Sequence, residues 1–225
     1  MTLEEYKHQI EQNPDYAPGW EAIESAFQKL YGEQKMRHYA TNLASRANLG
    51  GDQYLDGYSI YQSAHGYQHI VTYGMSELYA NEESFGGEWS GWGYEMTFKL
   101  AADTPEECLW SLNMLANLAF FTNTNESYLE PLQFIAGDGK SISRDDNSLI
   151  TAMIVAHDTE IQSVETIHGK LLFLQLVGIT QKELEWIMQY ENVEDNKKKI
   201  QELIYKMQDD NPYLVTDMRR QISYV

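Results

Sequence analysis

The residues of this chain that could bind phosphate fall short of the spacing that such chemistry requires. Gly139-Lys140-Ser141 matches the last three residues of a phosphate-binding loop, but the full pattern needs a glycine where this chain has Phe134. No strand is predicted to end directly before this segment. We therefore interpret Gly139-Lys140-Ser141 as a polar surface turn.

Metal ligands are the second kind of candidate. His65 and His69 are four residues apart, but their segment predicts a turn and a strand, where this spacing does not place both side chains on one helical face. Asp138, Asp145 and Asp146 could suggest calcium, yet their spacing does not match an EF-hand loop. The sequence therefore predicts no metal site and no cofactor, and a solvated acidic loop at residues 122–148.

A nucleophile is the third candidate. Cys108 is the only cysteine, so the chain has no intramolecular disulfide, and it lies in an apolar helical pattern without an evident partner base. The G-x-S-x-G pattern of serine hydrolases is absent. We predict no catalytic residue and a protein that is not an enzyme. The alternative, an enzyme whose site assembles only in three dimensions, predicts a deep pocket with converging titratable groups.

The stretch from Tyr67 to Leu100 carries the best candidate for a binding surface. It predicts two strands joined by a loop that is rich in glycine, which permits positive φ, so the loop should have a defined shape. In 93–100, apolar residues alternate with polar ones, which predicts one buried and one solvated face. The loop carries aromatic and acidic residues: Glu77, Tyr79, Glu82, Glu83, Phe85, Glu88, Trp89 and Trp92.

Aromatic anchors among carboxylates are typical of a surface that binds a protein or a peptide. On spacing alone, an equally good interpretation is that the rings fold back onto the sheet and the carboxylates are only solvated. From this cluster we select Glu77, Tyr79, Glu88, Trp89 and Trp92 as the predicted partner-binding residues.

The elements that must position this loop are predicted from caps and from apolar periodicity. Helices are predicted to begin at Thr2, Pro18, Pro105 and Thr180, with another around 200–207. The Pro105 helix is predicted to be the most amphipathic of them. The predicted strands, set apart by turn residues, are 37–44, 55–63, 67–73, 93–100, 148–156, 164–167, 170–177 and a C-terminal or edge strand within 213–225. This alternation predicts an α/β (mixed α+β) fold: a central mixed, largely antiparallel sheet flanked by helices.

Composition limits the classes of partner. The 225 residues contain 34 acidic and 16 basic side chains, a formal net charge of −18, which argues against nucleic acid and anionic membranes as partners. The charge suits a basic protein partner or simply a soluble acidic protein. The N-terminus has no apolar signal segment and no stretch is long enough to span a membrane, so we predict a cytoplasmic protein of one domain over 1–225.

Several segments resemble the suppressor of fused family, specifically the domain shared by bacterial members and the N-terminal half of the eukaryotic Hedgehog-pathway protein. The resemblance spans about 18–220 and leaves 1–17 as a helical extension. The matching segments, in family order, are Pro18-Gly19 with its helix to Leu30-Tyr31, GGDQYLDGYSIY (50–61), YQHIVTYGMSELY (67–79), SGWGYEMTFKL (90–100), Trp110 with its helix, HGKLLFLQLVGITQKEL (168–184) and YLVTDMRR (213–220).

The resemblance implies a binding protein without known catalysis. The eukaryotic relative restrains a transcription factor by clamping a short peptide between two domains. A tyrosine that ends its S-[DE]-L-Y segment and an acidic residue just before S-G-[FW]-G help to hold that peptide. These correspond to Tyr79 and, through a loop of different length, approximately to Glu88. The second domain of the clamp has no counterpart in this sequence.

Bacterial members of the family are associated with polymorphic toxin systems as immunity proteins. The sequence is therefore interpreted first as an immunity protein, an antitoxin that neutralises a basic toxin by direct binding. The alternative is a peptide-binding regulatory adaptor that adds a strand to an exposed sheet edge. Short linear peptides should bind an adaptor, whereas an immunity protein should require a folded basic domain.

Overall fold

A computed structural model describes residues 1–41, 55–145, 147–189 and 192–225. Within these residues the chain forms five α-helices and eight strands. The helices are α1 (Leu3–Gln12), α2 (Pro18–Tyr31), α3 (Leu109–Asn125), α4 (Gln181–Ile187) and α5 (Val193–Gln208). The strands are β1 (Arg37–Ala40), β2 (Gly57–Gln62), β3 (Gln68–Tyr73), β4 (Trp89–Leu100), β5 (Phe134–Ile135), β6 (Ile150–His157), β7 (Val164–Thr166) and β8 (Gly169–Thr180).

The strands form one mixed sheet in the order β1-β2-β3-β4-β8-β6-β5, and β7 pairs with β8. Only the contact between β4 and β8 is parallel among the described pairs, so the predicted mixed, largely antiparallel sheet is confirmed. The sheet is covered on both faces. Leu115 of α3 packs on one face, while Phe27 of α2 and Leu203 of α5 belong to two clusters on the other.

Three of the helix starts that were predicted from capping residues and proline are confirmed. Thr2 with Glu5 and Thr180 with Glu183 form reciprocal capping boxes at the starts of α1 and α4. Pro18 opens α2, as expected for a residue that lacks the N–H of a first helical turn. The end of the predicted strand 37–44 lies outside the described residues, as do residues 50–52, whose Gly-Gly-Asp sequence is typical of a turn.

Strand β4 corrects the prediction of one buried and one solvated face. Every residue from Tyr94 to Leu100 is buried, and Glu95, Thr97 and Lys99 are fully enclosed. The polar residues of this strand are not solvated because hydrogen bonds and ion pairs inside the protein replace water around them. A period of two therefore indicated two chemically different faces, but not which of them met solvent.

Helix α3 corrects a second prediction. Pro105 begins a short 3₁₀ turn that ends at Cys108, and the α-helix starts at Leu109. Ala119 is buried against the sheet as predicted, but the opposite side of the helix is also apolar, with Phe120 and Phe121 exposed. The helix is therefore not the most amphipathic in the chain, because its outer surface lacks the charged residues that define such a helix.

The C-terminal segment is not the predicted strand. Thr216 makes one isolated parallel bridge to Leu100, and the chain then continues in turns. Two features prevent an extended conformation here. Leu214 has a positive φ of 52°, and the carbonyl oxygens of Tyr213 and Leu214 accept hydrogen bonds from the side-chain amide of Gln175 in β8, in place of the main-chain N–H groups that a strand would use.

Candidate functional site

Two glycines shape the start of β4, where the candidate surface lies. Gly91 and Gly93 have positive φ values of 55° and 83°, and the register between β4 and β8 shifts between Trp89 and Tyr94. A Cβ on Gly91 would lie 2.8 Å from the carbonyl oxygen of Met75. Only glycine therefore allows this strand to approach the segment that follows β3, which confirms that the loop is shaped by its glycines.

The same approach ties Trp92 to that segment. The Trp92 main-chain N–H donates to the Met75 carbonyl oxygen at 2.8 Å. At its other end, the indole Nε1–H donates to Oδ1 of Asn123 at the end of α3, also at 2.8 Å. Trp92 is half-buried and packs against the core beneath α3. Trp92 is thus held by its main chain to the segment after β3 and by its ring to the end of α3.

Two adjoining grooves share Gly91 and Trp92 as their common wall. The first, which we call the tyrosine groove, has a volume of about 600 Å³ and is lined by Asp56, Gly74, Met75, Ser76, Glu77, Leu78, Tyr79, Gly91, Trp92 and Asn123. The second, which we call the tryptophan groove, has a volume of about 490 Å³ and is lined by Trp89, Gly91, Trp92, Gly93, Tyr94, Tyr128, Leu129, Glu130, Pro131 and Leu172. Among the described residues, neither lining includes a lysine or an arginine.

The structure brings four of the five selected residues to these grooves. Tyr79 is 49% exposed and Trp89 is 45% exposed, so both present aromatic surface to solvent. The carboxylate of half-buried Glu77 accepts hydrogen bonds from Ser84 Oγ at 3.0 Å and Asn81 Nδ2 at 3.3 Å. The alternative prediction was that the rings fold back onto the sheet. Among the selected rings it describes only Trp92, and only in part, because that ring is half-buried.

Glu88 is the selected residue that lies outside both groove linings. Its side chain is exposed, and its carbonyl oxygen accepts from the N–H of Lys170 at 3.0 Å. The ammonium of Lys170 lies 5.5 Å from the ring centre of Trp89, a cation–π contact. Glu88 thus flanks the tryptophan groove on the side where β4 meets β8.

Two of the three remaining residues of the predicted cluster contact α1. Glu82 pairs with Lys7 at 3.0 Å, and the ring of Phe85 lies 5.1 Å from that of Tyr6. Glu83 is exposed. Helix α1, predicted as an extension of the family domain, therefore packs directly behind the acidic loop.

A buried chain of hydrogen bonds connects α1 to the candidate site, and it was not predicted from the sequence. His168 Nδ1 lies 3.1 Å from the Glu77 carbonyl oxygen, which can only accept, so this nitrogen carries the proton. Burial lowers the pKa of His168, so its Nε2 accepts from the Tyr6 hydroxyl at 2.8 Å. The Tyr6 oxygen in turn accepts from the Asn81 N–H at 2.9 Å.

Glu95 lies fully buried beneath the tyrosine groove. Its carboxylate accepts hydrogen bonds from the hydroxyls of Thr72 and Ser76, both at 2.6 Å, and from three successive main-chain amides that follow β3. Burial raises the pKa of Glu95 to about 6, although these hydrogen bonds oppose the shift. The alternating pattern of β4 assigned Glu95 to the polar face of the strand, but it predicted that this face was solvated.

The other polar residues of β4 join a second buried network. Asp158 accepts from Thr97 Oγ1 at 2.6 Å, and it pairs with His69 Nε2 at 2.9 Å and Lys99 Nζ at 3.1 Å. Burial alone would raise the pKa of Asp158, but His69, Lys99 and Thr97 together hold it below its usual range. Lys99 also pairs with Glu160 at 2.8 Å, and the Lys99 side chain is fully buried while Glu160 lies at the edge of the network.

The residues considered for metal or covalent chemistry do not converge. No group of three or more metal-ligating side chains is placed to hold an ion among the residues the structure describes. His65 bonds the hydroxyl of Tyr213, and Asp138 pairs with Arg144, while Asp146 lies outside the described residues. Cys108 is buried, and burial raises the pKa of its thiol to about 12, which keeps it protonated.

The turn at Gly139-Lys140-Ser141 is a bend in which the Lys140 N–H donates to Asp138 at 3.1 Å. It follows the two-residue strand β5 and no helix begins there, which agrees with a polar turn. Across the parts of the chain that the structure describes, no helix is both long enough and apolar enough to cross a lipid bilayer.

Comparison with known proteins decides the family. The family described as Suppressor of fused protein (SUFU) matches residues 51–221. The chain belongs to the suppressor of fused family. The human Suppressor of fused homolog is 31% identical over 219 residues, which cover 90% of this chain and 43% of the relative. The mouse homolog gives the same identity and coverage, so the SUFU-family chain spans less than half the length of these relatives.

Solved SUFU structures share the architecture. Two of them superpose with a TM-score of 0.76 over 93% of this chain: the crystal structure of a Sufu–Fu complex, at 25% identity and 93% of that chain, and Drosophila Suppressor of Fused, at 26% identity and 52% of that chain. A SUFU homolog from Neisseria gonorrhoeae has a TM-score of 0.59 at 14% identity, over 92% of this chain and 97% of its own, and shows the fold alone.

These findings confirm the resemblance predicted from the sequence. One of the similar proteins was crystallised as a complex with a protein partner, Fu. The relatives therefore support the prediction of a protein-binding domain. They favour the regulatory adaptor over the immunity protein that the sequence suggested first.

Proposed function

We propose that this chain is a protein-binding regulatory adaptor of the SUFU family, and that it takes up an extended segment of its partner along the tyrosine and tryptophan grooves. The observation that carries the proposal is the shared wall of the two grooves at Gly91 and Trp92. A segment that crosses this wall contacts Tyr79 on one side and Trp89 on the other. Tyrosine and tryptophan are among the residue types that contribute most binding energy at protein interfaces.

The chemistry of the linings indicates what the segment should carry. Exposed or half-exposed rings with few rotatable bonds give contact area at a small entropic cost, so they suit apolar or aromatic side chains of the partner. The tyrosine groove also has the carboxylates of Asp56 and Glu77 in its lining. The preferred segment therefore combines apolar anchors with a lysine or arginine, and the net charge of −18 would steer it toward this protein.

Selection from a displayed library of random peptides tests the proposal. We expect peptides with the stated composition to bind the intact chain and to lose at least tenfold in affinity with Tyr79→Ala or Trp92→Ala. Glu88→Lys should weaken binding mainly at low salt, because Glu88 flanks the groove and acts through its charge.

Exposed residues on the far side of the molecule provide the controls. Tyr205→Ala, on α5, and Glu185→Lys, on α4, change the same residue types away from the grooves and should leave affinity within about twofold. Equal losses in the control variants, or none in Tyr79→Ala and Trp92→Ala, would place the binding surface elsewhere.

A second candidate function is the immunity protein, and the observation that favours it is the charge balance of 34 acidic to 16 basic residues. A basic toxin domain would meet complementary charge over a wide surface, without needing a linear segment. Affinity capture at low and high salt distinguishes the two functions. A single folded basic partner, lost at high salt and not replaced by any of its peptides, supports immunity over the adaptor.

A further inference from the structure

Glu95 sits directly below the main chain that forms one wall of the tyrosine groove. We infer that Glu95 is the positioning residue of this groove: its buried carboxylate fixes the main chain of residues 74–76, and peptide binding in the groove depends on that shape. The dependence of peptide binding on Glu95 rests on the proposed function. The role of Glu95 in fixing the main chain of residues 74–76 rests on the contacts alone.

The carboxylate is almost saturated with donors. Oε1 accepts from the Gly74 N–H at 3.0 Å, and from both the N–H and the hydroxyl of Ser76 at 2.9 and 2.6 Å. Oε2 accepts from the Thr72 hydroxyl at 2.6 Å and from the Met75 N–H at 3.4 Å. An ionised carboxylate has about four acceptor positions, so five donors leave none unused.

Three of the five donors are consecutive main-chain amides, and their residues all line the tyrosine groove. The amides of Gly74, Met75 and Ser76 point inward to Glu95, and the Met75 carbonyl oxygen points the other way to the N–H of Trp92. The wall shared by the two grooves is thus linked to Glu95 through one residue. A change at Glu95 should therefore reach Trp92 without altering any groove side chain.

Among the residues that the structure describes, Glu95 differs from the other buried carboxylates in having only uncharged donors. Asp158 pairs with Lys99, and Glu183 pairs with Arg220 at 2.6 Å, so each has a cation to offset the loss of water. Burying an anion among neutral donors is more costly. The carboxylate nevertheless gathers three amides from one turn of main chain, and an apolar residue here would leave those buried amides without this acceptor.

The test compares Glu95→Gln with Glu183→Gln. Glutamine keeps the size of the side chain but has one acceptor oxygen, and its NH₂ group would face N–H donors. Glu183 is equally enclosed and also accepts main-chain N–H groups, from Thr180 and Tyr224, but it belongs to α4 and lines neither groove. It therefore controls for the general cost of losing a buried carboxylate.

Amide hydrogen exchange is the first readout. In Glu95→Gln we expect the amides of residues 74–76 to exchange at least tenfold faster, relative to the core amides of Leu174 and Leu176, while Glu183→Gln leaves this ratio unchanged. Ser76→Ala, which removes one donor and is a milder change, should shift the ratio in the same direction by less. An unchanged ratio in both Glu95→Gln and Ser76→Ala overturns the inference, whatever the peptide results.

Affinity for the tightest library-selected peptide is the second readout. We expect a loss of at least tenfold in Glu95→Gln and of less than about twofold in Glu183→Gln. Faster exchange at 74–76 with unchanged peptide affinity overturns the dependence of binding on Glu95. If the intact chain selects no peptide at all, the proposed function fails, and the exchange ratio still decides whether Glu95 fixes the groove wall.

Discussion

Trp92 and Glu95 lie three residues apart in one strand and serve different sides of it. The indole forms the ridge between the two grooves, and the carboxylate holds the main chain behind that ridge. Residue types alone identified the aromatic part of this arrangement, because tyrosine and tryptophan among carboxylates are typical of binding surfaces. They did not identify Glu95 as a buried acceptor, because its donors are mostly main-chain amides, which sequence does not distinguish.

The titration of Glu95 gives a prediction at this scale. Burial raises its pKa from the usual 4.5 to about 6, so the folded chain binds this proton more tightly than the unfolded chain does. Its contribution to the free energy of unfolding is therefore full below about pH 4.5 and is lost as the pH rises through 6, by about 2 kcal/mol. Urea unfolding between pH 4 and 8 measures it.

The comparison with Glu95→Gln isolates this titration. Glutamine does not titrate, so the difference in unfolding free energy between the original chain and the variant should fall between pH 4.5 and 6 and be constant above pH 7. Other titrating groups are common to both proteins and cancel. Parallel curves over the whole range would contradict the raised pKa.

At the scale of elements, the parallel pairing of β4 with β8 creates the polar interior. It brings Thr97 and Lys99 of β4 to Asp158, which follows β6, while β3 supplies His69. These residues are up to 89 positions apart, so no local pattern could have indicated their contact. The same pairing buries both faces of β4, which is why the predicted solvated face was wrong.

Asp158→Asn tests the importance of this network for the fold. It removes the charged acceptor that His69 and Lys99 share inside the protein, and leaves Lys99 with Glu160 as its acidic partner. Breaking a buried pair in this way typically costs about 3–5 kcal/mol, so we expect a large loss in the free energy of unfolding. Urea unfolding followed by tryptophan fluorescence measures the loss.

Asp138→Asn is the matched control for that change. Asp138 pairs with Arg144 in an exposed bend, where water replaces a lost ion pair, so its substitution should have little effect. A loss as small in Asp158→Asn as in Asp138→Asn would show that the buried network contributes little to stability.

At the scale of the whole molecule, the features that were predicted correctly from the sequence depend on local interactions. The capping boxes at Thr2 and Thr180 depend on residues close in the chain, as do the strands predicted at 164–167 and 170–177, which form β7 and β8, and the structure confirms them. The C-terminal strand was wrong because its outcome depends on Gln175, some forty residues away, which takes the carbonyl oxygens of Tyr213 and Leu214. The candidate site depends on both kinds of information: four of its lining residues were selected from the sequence, but its two grooves and the buried Glu95 were not predicted.

Chemical-shift mapping of a library-selected peptide on the ¹⁵N-labelled chain tests the central claim most directly. The indole N–H signals of Trp89 and Trp92 report on the two grooves. The signal of Trp186 in α4, whose ring contacts Lys199 and Lys206 of α5, serves as an internal reference. We predict that saturating peptide shifts the signals of Trp89, Trp92 and residues 74–79 and leaves Trp186 unchanged. Shifts confined to other surfaces, with these signals unmoved, would contradict binding in the grooves.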